Sequence, residues 1–172
     1  DFSLSASNGE RAGVRCRRIH GVRGQMWPYA STLGLRNADS FPLKVATGAN
    51  QISADHNQAA PTTGVGTAPA YALDVSALGG MYANKITLVG TEAGLGVRNA
   101  GSIGASGASG VGGAGELVLD HNGWLSNSGT IQATGSVQVT AAGAISNNGT
   151  VYAHADTRLT SQGNISNTGL IA

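Results

Sequence analysis

Cysteine is almost missing from this 172-residue chain. Cys16 stands alone, which excludes an intramolecular disulfide framework and any multi-cysteine metal site. Charged side chains make up 11% of the residues, against about 25% in an ordinary globular protein. The formal net charge is only +1, so there is neither a global basic field for nucleic acid nor an acidic excess. Aromatic residues are 5% of the chain, too few for a helix bundle packed around large rings. No apolar run reaches the roughly 18 residues of a membrane-spanning helix, so no membrane insertion is expected. The first ten residues lack a basic stretch followed by an apolar one, so no signal peptide is expected. The chain opens on Asp1 rather than Met, which reads as a processed product or a fragment. No nucleophile elbow, Walker loop, HExxH, EF-hand or calcium-binding nonapeptide occurs. We therefore assign no catalytic, metal-binding or cofactor-binding residue.

Glycine, by contrast, is abundant at 27 residues, and mean hydropathy is −0.02, which favours a packed or solenoidal chain over a disordered one. Charge divides the sequence. Six arginines stand against three acidic residues before Leu43, whereas four basic residues stand against six acidic ones after it. The early part also lacks regular apolar alternation, so a boundary falls near Phe41-Pro42. We expect residues 1–42 to be a basic, irregular and poorly ordered arm, foreign to the remainder of the chain and consistent with a frame-shifted or rearranged remnant. The cluster Arg15-Cys16-Arg17-Arg18 has no interleaved aromatics, so it reads as a solvated arm rather than a nucleic-acid patch.

A fixed period carries the main inference. Gly123-Trp124-Leu125-Ser126-Asn127-Ser128-Gly129-Thr130-Ile131 returns twenty residues later as Gly143-Ala144-Ile145-Ser146-Asn147-Asn148-Gly149-Thr150-Val151. It returns again as Gly163-Asn164-Ile165-Ser166-Asn167-Thr168-Gly169-Leu170-Ile171. Between the copies, apolar and polar residues alternate over four to five positions, as in Ser136-Val137-Gln138-Val139-Thr140. That alternation marks half-buried strands, and the Asn/Ser/Gly clusters mark turns. Strands this short gain stability by pairing with equivalent strands in neighbouring coils. The predicted fold is all-β, a right-handed parallel β-helix or β-solenoid.

Each site residue then has a structural role. Ser126, Asn127 and Gly129, Ser146, Asn147 and Gly149, and Ser166, Asn167 and Gly169 are expected to form one stacked turn ladder. Its asparagine amides would bond from coil to coil, and its glycines and asparagines would accept left-handed backbone. Leu125, Ile145 and Ile165, with Ile131, Val151 and Ile171, are expected to point inward as aliphatic stacks.

Upstream, Asn99-Ala100-Gly101-Ser102-Ile103 repeats the corner, but 28 residues before the next copy rather than 20. The Gly/Ser/Ala tract from Gly104 to Gly113 accounts for the excess as an extruded loop. A second excursion is expected over Ala59 to Ala70.

The segment Tyr71-Ala72-Leu73-Asp74-Val75-Ser76-Ala77-Leu78-Gly79-Gly80-Met81-Tyr82-Ala83-Asn84-Lys85-Ile86 resembles the secretion domain of filamentous haemagglutinin-like exoproteins. So does Val89-Gly90-Thr91-Glu92-Ala93-Gly94-Leu95-Gly96-Val97-Arg98-Asn99-Ala100-Gly101, and Val45-Ala46-Thr47-Gly48-Ala49-Asn50-Gln51 is similar to a part of it. The twenty-residue repeats resemble the family's early haemagglutinin repeats. The resemblance divides the β-helix of residues 43–172 into the end of a secretion domain, 43–115, and repeats, 116–172. It implies a secreted or cell-surface adhesin of the two-partner secretion type, exported through an outer-membrane β-barrel transporter. A stalk of a contact-dependent growth inhibition toxin is the alternative it implies. A host or neighbouring-cell receptor or glycan would be the external partner. The family's Asn-Pro-Asn-type secretion motifs lie ahead of the matched part, and no Asn-Pro pair occurs in this chain.

Enzyme chemistry is the rival class, because β-helices also host polysaccharide cleavage, which needs convergent carboxylates. Asp156 stands alone between Tyr152 and Ala172. Alternation puts His154 and Asp156 on one strand face, and Asp120 adjoins His121, but one imidazole with one carboxylate is an incomplete metal or acid-base site. Trp124 and Tyr152 are the stacking candidates for a carbohydrate-binding surface.

Overall fold

The structure, a computed structural model, describes residues 2–4, 14–15, 34–36, 42–52, 58–64, 67–107 and 115–172. Among them all regular structure is strand, and no helix is long and apolar enough to cross a membrane. Strands β1 (Phe2–Leu4), β2 (Val14–Arg15) and β3 (Gly34–Arg36) come first. They are followed by β4 (Leu43–Thr47), β5 (Asn50–Ile52), β6 (Ala59–Pro61), β7 (Tyr71–Val75) and β8 (Gly80–Ala83). The next coil is β9 (Ile86–Gly90), β10 (Gly96–Asn99) and β11 (Ser102–Ala105). Three twenty-residue coils complete the chain: β12 (Leu117–His121), β13 (Leu125–Asn127) and β14 (Thr130–Ala133); β15 (Val137–Ala141), β16 (Ile145–Asn147) and β17 (Thr150–Ala153); β18 (Thr157–Ser161), β19 (Ile165–Asn167) and β20 (Leu170–Ile171).

Three six-stranded parallel sheets make the walls of a β-helix, in the orders β1-β4-β9-β12-β15-β18, β2-β7-β10-β13-β16-β19 and β3-β8-β11-β14-β17-β20. We call them the first, second and third walls. Stacking sets the register: Leu117 faces Val137 and Val137 faces Thr157 in the first wall, while Ser126, Ser146 and Ser166 form one column in the second. The same logic continues upstream at unequal spacing. Leu43 pairs with Ile86 and Ile86 with Leu117, so these coils are longer than twenty residues. Their extra length leaves the helix at two places. After β4, the chain makes the antiparallel pair β5/β6 before returning as β7; after β11, the glycine-rich tract separates Ala105 from Leu117. Residues 108–114 of that tract lie outside the described residues.

Of residues 1–42, expected to be irregular and foreign to the solenoid, most lie outside the described residues. Three short strands within them, β1, β2 and β3, pair in parallel with β4, β7 and β8. The Arg15–Arg18 cluster is described only as far as the backbone of Arg15.

Alternation determines what is buried. In β15, Val137, Val139 and Ala141 face inward while Gln138 faces solvent. The core is one continuous column of aliphatic side chains, from Leu43 and Val45 through Leu73, Met81, Ile86, Ile103 and Leu117 to Ile145 and Val151. Each such side chain contributes roughly 1.5–3 kcal/mol by leaving water, so stability is spread over the coils. Leu125, Ile145, Ile131 and Val151 are buried, and Ile171 is partly buried against the same core. Ile165 is 48% exposed and Leu170 52%; both lie in β19 and β20, the last strands described.

Candidate functional site

The most ordered polar feature is the corner between the second and third walls. Asn99 Nδ2 donates to Asn127 Oδ1 at 2.8 Å, Asn127 Nδ2 to Asn147 Oδ1 at 2.7 Å, and Asn147 Nδ2 to Asn167 Oδ1 at 2.7 Å. Each of these amides also reaches a backbone carbonyl one coil on, that of Thr130, Thr150 or Leu170. Asn99, Asn127 and Asn147 are buried, so the ladder satisfies polar groups that water cannot reach. Asn99 joins it despite the 28-residue spacing, because Ser102 to Ala105 pair with Thr130 to Ala133 in unbroken register. Below Asn99 the ladder stops. Its register partner is Val75, which has no amide to offer, and Asn99 Oδ1 is left without a donor.

The glycine of this corner is needed for a reason other than the one expected from sequence. The only described glycines with positive φ are Gly48 and Gly94, so the backbone at Gly129, Gly149 and Gly169 is not left-handed. Instead, a Cβ on Gly129 would sit 2.0 Å from the Gly101 carbonyl oxygen, one on Gly149 2.1 Å from that of Gly129, and one on Gly169 2.0 Å from that of Gly149. Those carbonyls accept hydrogen bonds from Thr130, Thr150 and Leu170. Close approach of successive backbones, not handedness, demands glycine here.

Removing one rung tests the ladder. Asn127→Ala would strand the Asn147 and Thr150 oxygens and weaken the hold on Asn99. At about 1–3 kcal/mol per unsatisfied buried group, we expect a loss of about 3 kcal/mol by urea unfolding. Asn167→Ala, at the exposed end, is expected to cost less than about 1 kcal/mol on the same scale.

The titratable groups do not converge. His154 and Asp156 are exposed and lie in the bend between β17 and β18, not on one strand face as alternation suggested. Asp120 is exposed while His121, the next residue of β12, points inward and is 2% exposed. Lys85 and Glu116 form an exposed ion pair. Among the described residues no group of three or more His, Cys, Asp or Glu is arranged to hold a metal ion.

His121 is the one described imidazole in the core. It stands in a column with Thr47, Gly90, Ala141 and Ser161, small residues that leave room for its ring. A small cavity beside it is lined by Val45, Thr47, Leu73, Leu88 and Val97, and neither ring nitrogen has a hydrogen-bond partner. Burial holds its pKa below the ordinary histidine value; the backbone of Trp124 and Thr140 and the Asp120 charge act in the opposite direction and are outweighed. The unfolded chain therefore takes up a proton that the folded chain refuses. Folding stability is full above about pH 6.5 and declines as pH falls below it. Urea midpoints measured from pH 7.5 to 5 should decline, and His121→Leu should flatten that decline.

On the outside of the second wall lies a compact aromatic and charged cluster. Tyr71 of β7 and Gly96 of β10 are register partners, and Trp124 immediately precedes β13 in the next coil. A Cβ on Gly96 would lie 2.2 Å from both bridgehead carbons of the Trp124 indole, so the indole is laid across the glycine. Its ring meets Tyr71 edge to face, with centroids 5.8 Å apart and planes at 79°. The Arg98 guanidinium lies 4.4 Å from the centre of the Tyr71 ring and makes two hydrogen bonds to Asp74, of 2.9 and 2.7 Å. Those bonds raise the Arg98 pKa above its ordinary value. Ser126 is the register partner of Arg98 on the next coil.

Among known proteins, the haemagglutinin repeat family matches residues 45–123 and 111–169. A Toxin CdiA of Yersinia pestis is 44% identical over 98 residues, 56% of this chain and 3% of that protein. A tRNA nuclease CdiA-2 of Burkholderia pseudomallei is 46% identical over 91 residues, covering 53% of this chain and 3% of the relative. A 16S rRNA endonuclease CdiA of Enterobacter cloacae is 43% identical over 100 residues, 58% of this chain and again 3% of the relative. The chain thus spans only a small part of the length of these relatives. No solved structure matches it.

Proposed function

This chain belongs to the haemagglutinin repeat family, and from that premise we propose that it is a non-catalytic stalk segment of a secreted or cell-surface haemagglutinin-like exoprotein. The carrying observation is the unbroken stack of three parallel walls, in which the asparagine ladder bonds coil to coil and the corner glycines let successive backbones approach closely. A stack of this kind extends indefinitely by adding coils, which suits a spacer. On this reading residues 43–115 are the end of a secretion domain, 116–172 are the first stalk repeats, and the corner and core residues serve structure alone. A thiol-poor composition, with one cysteine, suits life outside the cell, with export through an outer-membrane β-barrel transporter.

The names of the relatives, a toxin and two nucleases, favour one elaboration: the stalk presents a toxin rather than acting as an adhesin by itself. Either way the matched segment carries no chemistry. Antibody labelling of intact cells of the source organism, with and without its cognate outer-membrane transporter, tests the proposal. Surface signal that depends on the transporter is the expected result; signal confined to the cytoplasm in both strains overturns it.

A further inference from the structure

We propose that the corner after His121, between the first and second walls, is an acid-operated hinge that opens locally when the imidazole leaves the core to take up a proton. Three observations meet there. The ring is 2% exposed, and both its nitrogens lack a hydrogen-bond partner, although each would have one in water. A cavity of about 10 Å³ lies beside it, about the least space that holds one water molecule. Apart from His121 and Thr47 its lining is aliphatic or glycine, so a charged ring kept in place would have almost nothing to stabilise it. Finally, the register partners of His121 are Gly90 and Ala141, so releasing the ring disturbs few of the large aliphatic contacts that hold the rest of the column.

The ring has a destination outside. Asp120, the preceding residue, is exposed, and its charge favours the protonated imidazole. The packed elements bring other titratable groups: Lys44 of β4, Tyr71 and Asp74 of β7, and Arg98 of β10, with Glu92 just after β9 and Glu116 just before β12. Asp74 pairs with Arg98 and Glu116 with Lys85, while β9 and β15 carry no charge. Asp120 is the one described charge that acts on the imidazole. Opening is local because coils depend only on their neighbours. The backbone bonds at stake are those donated by Thr91 N to Thr47, Asn122 N to Gly90 and Ala142 N to His121. The asparagine ladder stands at a different corner, between the second and third walls, and stays closed. The hinge therefore falls where the longer coils give way to the twenty-residue coils. With an ordinary imidazole in the open form and a refused proton in the closed form, opening becomes up to about thirtyfold more frequent at pH 5 than at pH 7.5.

Amide hydrogen exchange of the whole chain, followed by NMR at pH 7.5 and pH 5, provides the test. Rates are converted to protection factors, which removes the intrinsic pH dependence of exchange. Protection at Thr91, Asn122 and Ala142 should fall by about tenfold to thirtyfold at pH 5 and return when the pH is restored. Ser128 and Asn148, whose amides donate to Asn99 and Asn127 at the ladder corner, should lose no more than about threefold, since that corner lies outside the local opening. His121→Leu should abolish the loss; should it fail to fold by circular dichroism, His121→Gln, which is polar but does not titrate, should do the same. His154→Gln, at an exposed imidazole in the bend between β17 and β18, should leave the loss intact. The proposal is overturned if protection at the His121 corner is equal at the two pH values, if the ladder corner loses as much, or if the loss survives in a folded His121 variant.

Discussion

Ile145→Asp is expected to remove the C-terminal coils from the folded state. Ile145 is fully buried, with Leu125 beneath it and Ile165 above it in register. The substitution forfeits about 1.5–3 kcal/mol of apolar transfer. It also places a carboxylate where no cation stands among the core side chains, adding several kcal/mol unless the group takes up a proton. The sum is comparable with the whole stability of a typical domain, about 5–15 kcal/mol. Because coils contact only their neighbours, the loss is expected to be local: hydrogen-exchange protection vanishes from β15 to β20 and persists in β4 to β11. A variant whose exchange pattern and melting temperature match the parent would show that position 145 does not face the interior.

Gly149→Ala is expected to have the second largest effect, and it separates two explanations for the corner glycines. Were glycine there for left-handed backbone, alanine would carry only the modest strain of that conformation, about 1–2 kcal/mol. The structure requires more. The new methyl meets a backbone carbonyl at 2.1 Å, and that oxygen cannot retreat without losing its bond from Thr150 N, now 2.9 Å. Overpacking against a backbone costs about 3 kcal/mol, and the adjoining asparagine rung is displaced with it. Gly143→Ala is the matched control. It occupies the other corner of the same coil, where the nearest atom, the Gly123 carbonyl oxygen, lies 3.0 Å from the added Cβ. We expect it to cost about 1 kcal/mol. Equal urea midpoints for the two variants would refute the close-approach explanation.

Legibility in the sequence followed the regularity of the coils. Where the period is twenty, equal spacing makes equivalent residues neighbours in space, and the pairing of Asn127 with Asn147 and of Val137 with Thr157 can be read by counting. Asn99 belongs to the same ladder but stands 28 residues away, and only its Asn-Ala-Gly-Ser-Ile corner signals the kinship. His154 and Asp156 show where alternation misleads, since counting by twos runs straight through the bend that separates β17 from β18. His121 gives no sign in sequence of being buried, because its inward turn depends on Gly90 and Ala141 making space from the coils on either side.

The amino-acid sequence by itself determined the architecture: short alternating strands, glycine-rich corners and a repeat that can bury its apolar face only by stacking. The tertiary structure alone decided which distant residues meet. Tyr71, Arg98 and Trp124 come from three different coils and share one outer face, and the corner glycines owe their identity to a carbonyl one coil away. The reason is physical. Local composition specifies how a strand and its turn are shaped, whereas contact between coils depends on how much chain each excursion consumes before the helix resumes, and that length is settled only when the backbone hydrogen bonds of the next coil close.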